Sequence, residues 1–125
     1  MKGRILIVDD EPDITIAFKL GLESSGFETD TYNDPLEALS NFKAGAYDLL
    51  LLDIKMPNMT GFELFQRIQM IDDKVKVCFV TAFEVYYEAL KEVFPTIEDE
   101  CFIQKPIKIQ ELTSRIEDRL APSTK

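Results

Sequence analysis

The sequence predicts an α/β domain, a parallel and doubly wound sheet with helices on both faces. Three observations predict it. Short apolar runs alternate with stretches of helical periodicity along the whole chain, four of the five apolar runs stop at a polar or charged residue, and 125 residues fit one domain with little room for a second. Parallel strands need long crossovers, and the helical stretches between the apolar runs supply them.

Ile5-Leu6-Ile7-Val8 is four consecutive aliphatic residues, three of them β-branched, as a strand covered on both faces requires. Asp9-Asp10-Glu11 leads to Pro12, which suits the first turn of a helix. Ile14, Ala17, Phe18, Gly21 and Leu22 then share one helical face, and Ser25-Gly26 closes the helix. Residues 27–32 alternate apolar or aromatic with polar positions, the pattern of a strand nearer the sheet edge.

Asp34-Pro35-Leu36-Glu37 combines a capping carboxylate, Pro at N1 and Glu at N3. Leu36, Leu39 and Phe42 are the expected buried stripe of that helix, and Gly45 its expected end. Leu49 to Leu52 is the most apolar run in the chain and ends at Asp53; it is too short and too tightly bounded for a helix, so it predicts a central strand.

Thr60-Gly61-Phe62-Glu63 has capping-box spacing and opens a helix with Phe62, Phe65, Ile68 and Ile71 on its face. Residues 75–80 predict a fourth strand ending at Thr81, residues 84–94 a helix stopped by Pro95, and residues 101–104 a short fifth strand ended by Lys105-Pro106. Ile109, Leu112, Ile116 and Leu120 mark the last helix. The expected domain is 1–121, with 122–125 a polar tail.

Charge and composition exclude several classes of function. With 14 Lys and Arg against 23 Asp and Glu, the formal net charge is −9, which argues against direct nucleic-acid binding by this domain. The expected charged partner is a cation or a basic surface. The absence of His removes any mechanism with His as base, nucleophile or metal ligand. No apolar run approaches the roughly 18 residues of a membrane span, and the run after Arg4 is too short for a signal peptide. Cys78 and Cys101 make no disulfide framework, so a reducing cytoplasm is the expected compartment.

The chemistry gathers where strands end. In an open α/β sheet, ligands bind outside the carboxyl ends of the strands near the switch in strand order. Asp9 and Asp10 follow the first strand, Asp53 ends the third, Thr81 the fourth and Lys105 the fifth. Three convergent carboxylates repel unless a cation sits between them, and Mg²⁺ accepts few protein oxygens while keeping waters. A hydroxyl and an ammonium suit phosphoryl oxygens. Together they make a phosphoryl-transfer site with a carboxylate nucleophile.

These residues in this order resemble the receiver domain of two-component response regulators. The resemblance rests on Ile5-Leu6-Ile7-Val8-Asp9-Asp10-Glu11, Asp48-Leu49-Leu50-Leu51-Leu52-Asp53-Ile54-Lys55-Met56-Pro57, Gly61, Thr81-Ala82 and Lys105-Pro106. It implies a flavodoxin-like (βα)5 fold with strand order 2-1-3-4-5. It also implies that Asp53 accepts a phosphoryl group from a phosphohistidine of a sensor histidine kinase or histidine phosphotransfer protein. Asp10, Asp53 and the backbone carbonyl of Lys55 would hold Mg²⁺, with Asp9 acting directly or through water; Mn²⁺ could substitute. Lys105 would pair with Asp53 at rest and with the phosphoryl oxygens afterwards. Thr81 would swing onto the phosphate, Phe102 would follow by changing rotamer, and a cis peptide bond is expected between Lys105 and Pro106. The chain would then be a switch that signals to an output domain or target protein. It would not be an enzyme in the ordinary sense, although it catalyses its own aspartyl phosphorylation and dephosphorylation.

Taken singly, each residue has a plainer reading. Asp9-Asp10-Glu11 could be an acidic helix start, Gly61 a close-packing glycine, Phe102 core filler and Cys78 a buried small hydrophobe. A phosphatase of the haloacid-dehalogenase type would need Asp-x-Asp after the first strand, where this chain has adjacent Asp9 and Asp10. Phe94-Pro95-Thr96 and the acidic Glu98-Asp99-Glu100 depart from the family pattern before the fifth strand, and Phe83, Tyr86 and Tyr87 cannot all face inward at helical spacing. They suggest a face for a basic or apolar partner in place of a symmetric dimer.

Overall fold

Arg4–Val8 (β1), Glu28–Tyr32 (β2), Leu49–Asp53 (β3), Lys76–Thr81 (β4) and Phe102–Gln104 (β5) pair in parallel as one sheet, in the order β2-β1-β3-β4-β5. This computed structural model describes residues 2–82 and 102–121. Among the described residues, four helices accompany the strands: Pro12–Ser24 (α1), Pro35–Asn41 (α2), Gly61–Gln69 (α3) and Ile109–Leu120, labelled α4. The expected helix at 84–94, the acidic segment after it, Cys101 and the tail at 122–125 lie outside the described residues.

The sheet carries a separate core on each face. On one side Leu6, Val8, Leu50 and Leu52 pack with Ala38 of α2 and Leu64, Phe65 and Ile68 of α3. On the other, Ile5, Ile7, Leu49 and Leu51 pack with Phe18 and Leu22 of α1 and Leu112 and Ile116 of α4. All five residues of β3 are buried. Each buried Leu there contributes about 1.5–3 kcal/mol of hydrophobic stabilisation. That burial outweighs the modest strand propensity of leucine.

The local start signals act as expected. Pro12 occupies the first turn of α1, the Asp34 side chain accepts from the Leu36 N–H, and Thr60 and Glu63 form a reciprocal capping box. Helix faces differ in detail from the periodic reading. Leu36 is 45% exposed and Ala38 is fully buried in its place. α2 ends at Asn41, well before Gly45, because Phe42 turns extended and stacks its ring on Tyr47, with centroids 5.8 Å apart. In α1, Thr15 is buried and Ala17 exposed, since the Thr15 hydroxyl donates to the Pro12 carbonyl. Ile71 lies beyond the end of α3 and is 47% exposed, whereas Leu64 fills the core.

Strand order reverses between β1 and β3: the chain leaves β1 for β2 on one side and continues on the other. The register sets Val8 opposite Leu52, which brings Asp9 and Asp53 out of neighbouring strands at one level. The switch point is therefore lined with carboxylates.

Candidate phosphoacceptor and metal site

Asp9 and Asp53 are only 2% and 7% exposed, and Thr81 is buried beside them, although all three are polar. Carboxylate oxygens of Asp9, Asp10 and Asp53 lie within 4.8 Å of one another. Asp10 and Asp53 open into a cleft of about 540 Å³ that Lys55, Thr81 and Lys105 also line, with Asp9 buried behind them. Size does not select this site, because a larger groove of about 840 Å³ runs past Gly45, Met70 and Lys76 at the other end of the strands. Convergent charge does.

Each side chain is placed by a short stretch of backbone. Asp9 continues β1, and its N–H donates to the Tyr32 carbonyl at the end of β2. One Asp9 oxygen accepts from the Glu11 N–H at 2.9 Å and the other from Lys105 at 2.8 Å. Lys105 reaches the rim because its own N–H donates to the Thr81 carbonyl, tying the exit of β5 to the exit of β4. The Lys105–Pro106 peptide bond is cis, as expected.

Lys105 does not pair first with Asp53. Its Nζ lies 3.6 Å from Asp53 and 3.9 Å from Glu11, against 2.8 Å from Asp9. Asp9 is the nearer carboxylate, so it captures the hydrogen bond, and Asp53 keeps a looser ion pair. Glu11, read from sequence only as part of an acidic helix start, proves to be a third acidic neighbour of Lys105.

The electrostatics follow from this geometry. Burial, then the adjacent Asp9 carboxylate, pushes the Asp53 carboxyl up to about 7, and Lys105 offsets only part of that. For Lys105, burial works to lower its pKa. The hydrogen bond and charge of Asp9, with Asp53 and Glu11 behind it, outweigh burial and hold the ammonium above its ordinary value. A site with two carboxylates too many for one lysine has the donor chemistry of a hard divalent cation, and three convergent oxygens fit Mg²⁺.

The other expected site residues fall around this cleft. Lys55 borders it with an exposed side chain, and Phe102 is half-buried against the core, its ring 6.1 Å from that of Phe79. Gly61 stands behind Asp53: its N–H donates to the Ile54 carbonyl at 2.8 Å, and a Cβ there would lie 2.1 Å from the Asp53 carbonyl oxygen. Close packing explains this glycine. Asn33, which no sequence motif singled out, donates to the Asp9 carbonyl at 2.9 Å.

A family model described as the response regulator receiver domain matches residues 5–117. The chain is 30% identical over 121 residues to the transcriptional regulatory protein TrcR of Mycobacterium tuberculosis, covering 97% of this chain and 46% of that protein. It is 31% identical over 120 residues to the DNA-binding response regulator MtrA of Mycolicibacterium smegmatis, covering 96% of this chain and 51% of that one. The chain thus spans about half the length of these curated relatives. Among solved structures, the response regulator TrrA of Thermotoga maritima in complex with Mg²⁺ and BeF is 33% identical, with a TM-score of 0.79 over 94% of this chain and 98% of that one. A CheY-like receiver domain protein of Methanospirillum hungatei is 28% identical, with a TM-score of 0.78 over 94% and 92%. No helix among the described residues is long and apolar enough to cross a membrane.

Proposed function

Because this chain belongs to the response regulator receiver domain family, we propose that it is the phosphoacceptor of a two-component relay and takes its phosphoryl group onto Asp53. The observation that supports this most is the meeting of Asp9, Asp10 and Asp53 with Lys105 in one cleft at the switch point. The donor is a phosphohistidine of a sensor kinase or histidine phosphotransfer protein, and the recipient of the signal is an output domain or a target protein.

An Asp53 carboxylate oxygen attacks phosphorus. A P–O bond forms as the P–N bond to the donor imidazole breaks, and the electron pair returns to the imidazole nitrogen. Asp10, Asp53 and the backbone carbonyl of Lys55 would hold Mg²⁺, with Asp9 acting directly or through water, and Mn²⁺ would suit the same oxygens. When bound, the ion neutralises charge on the transferring phosphoryl group. Lys105 is already within ion-pair distance of Asp53, and a small swing away from Asp9 turns its ammonium onto the phosphoryl oxygens. Thr81, at the end of β4, offers its hydroxyl to the same group, and its movement carries the signal towards Phe102 on β5.

Incubation with acetyl phosphate and Mg²⁺ tests the reading by intact mass. The wild-type chain gains one phosphoryl group and shows no gain when the metal is chelated beforehand. A chain that stays unmodified with Mg²⁺ present refutes it. Asp10→Asn removes one negative charge and leaves a weaker amide oxygen, and is expected to weaken Mg²⁺ binding by about tenfold or more in a calorimetric titration. Thr81→Ala is expected to keep phosphoryl uptake while losing most of the NMR shift changes that beryllofluoride induces in β4 and β5. A wild-type response would place the switch elsewhere.

A further inference from the structure

We propose that Asn33 is a positioning residue for the acidic pair, a role that rests on Mg²⁺ binding at Asp9, Asp10 and Asp53. Asn33 follows β2 and belongs to neither the strand nor the helix cap beside it. Its residue surface is exposed, but its amide nitrogen points inward and donates twice. One bond goes to the Asp9 carbonyl at 2.9 Å, the other to the Thr15 hydroxyl at 3.0 Å. Thr15 is buried and passes its own proton to the Pro12 carbonyl at 3.0 Å. A relay of donors therefore runs from Asn33 through Thr15 into the first turn of α1.

The relay brackets the two aspartates from both sides. The Asp9 carbonyl belongs to the peptide that joins Asp9 to Asp10, and Pro12 opens the helix just beyond them. The Asp9 N–H is already held by the Tyr32 carbonyl. With Asn33 in place, both backbone polar groups of Asp9 are bonded to the end of β2, so neither neighbouring peptide plane can rotate freely. Three carboxylates within 4.8 Å tend to spread apart when nothing holds their backbone. A tether that keeps the Asp9–Asp10 peptide still keeps the oxygens gathered before the cation arrives, and pre-gathered donors bind more tightly than donors that must be ordered.

Calorimetric Mg²⁺ titration of the wild-type chain, Asn33→Ala, Thr15→Val and Thr15→Ser tests this, with thermal melts in chelator alongside. Asn33→Ala is expected to raise the Kd for Mg²⁺ about three- to tenfold, the scale of one or two lost hydrogen bonds. Thr15→Val, which cannot accept from Asn33, moves the Kd the same way, and Thr15→Ser, which keeps the hydroxyl, restores wild-type affinity. Adding Asn33→Ala to Thr15→Val costs less than the two separate losses combined, because both cut one relay. A residue with a merely structural role lowers the melting temperature and leaves the Kd of the folded protein alone. A Kd for Asn33→Ala within about twofold of wild type therefore overturns the proposal, as does a Thr15→Val chain that binds like wild type. Asp10→Asn serves as the control that the titration reports on the cluster. If the wild-type chain itself takes up no Mg²⁺, the metal site falls, and the positioning role falls with it.

Discussion

Asp53→Asn is expected to abolish phosphoryl uptake from acetyl phosphate and at the same time to make the metal-free fold more stable. The first effect is chemical: an amide oxygen is a poor nucleophile towards phosphorus, and Asp53 is the carboxylate that ends the fully buried β3 within ion-pair distance of Lys105. The second comes from the crowding of charge. Asp53 has its pKa pushed up to about 7 in the fold, against about 3.9 for an unfolded aspartate.

A carboxylate with a raised folded pKa binds a proton that the unfolded chain has lost. Its contribution to stability is therefore present below the unfolded pKa and declines as pH rises towards 7. Above pH 7 the ionised Asp53 costs the fold on the order of 2–4 kcal/mol, and asparagine removes that cost. Thermal melts in chelator at pH 8 are expected to show Asp53→Asn several degrees more stable than wild type, with the gap much narrower at pH 5. Intact mass settles the first half: a phosphorylated Asp53→Asn chain would move the acceptor to another residue. Melts that run parallel at both pH values would remove the repulsion argument while leaving the acceptor assignment in place.

Gly61→Ala carries the other large expected effect. The added methyl would sit 2.1 Å from the Asp53 carbonyl oxygen, 3.0 Å from its carbonyl carbon and 3.2 Å from the Ile54 Cα. All three are backbone atoms, so no side chain can turn aside to make room. Either α3 lifts away from the sheet or the end of β3 is displaced, and overpacking of this severity costs about 3 kcal/mol. A fall in melting temperature of about 10 °C or more is expected for a domain of this size. Because the two nearest of these atoms belong to Asp53 itself, the folded fraction is also expected to take up phosphate more slowly. A Gly61→Ala chain that melts like wild type would show that the loop between β3 and α3 has slack the structure does not suggest.

Much of this molecule was readable residue by residue. Apolar runs at 5–8 and 49–52 identify buried strands, because a strand covered on both faces needs no polar alternation. Pro12, Asp34 and the Thr60–Glu63 pair identify helix starts, because capping satisfies backbone donors within four residues. The order of Asp9, Asp10, Asp53, Thr81 and Lys105 at strand ends identifies the kind of site, because strand ends in a parallel sheet share one rim. All of these are local patterns read against a known topology.

Packing settled what local patterns left open. Whether Leu36 or Ala38 faces the core depends on how α2 leans against the sheet, and its rotation turns Leu36 out to solvent. Which carboxylate holds Lys105 depends on differences below 1 Å between residues far apart in the chain, and Asp9 wins by proximity. The elevated pKa of Asp53 needs both its burial and the charge of Asp9, neither of which a sequence displays. Asn33 had no visible motif, because its partners Asp9 and Thr15 come near it only when β2 lies alongside β1. Hydrophobic period and capping act over a few residues and so are written in the chain; distances, burial and the field at a carboxylate arise only when separate elements meet.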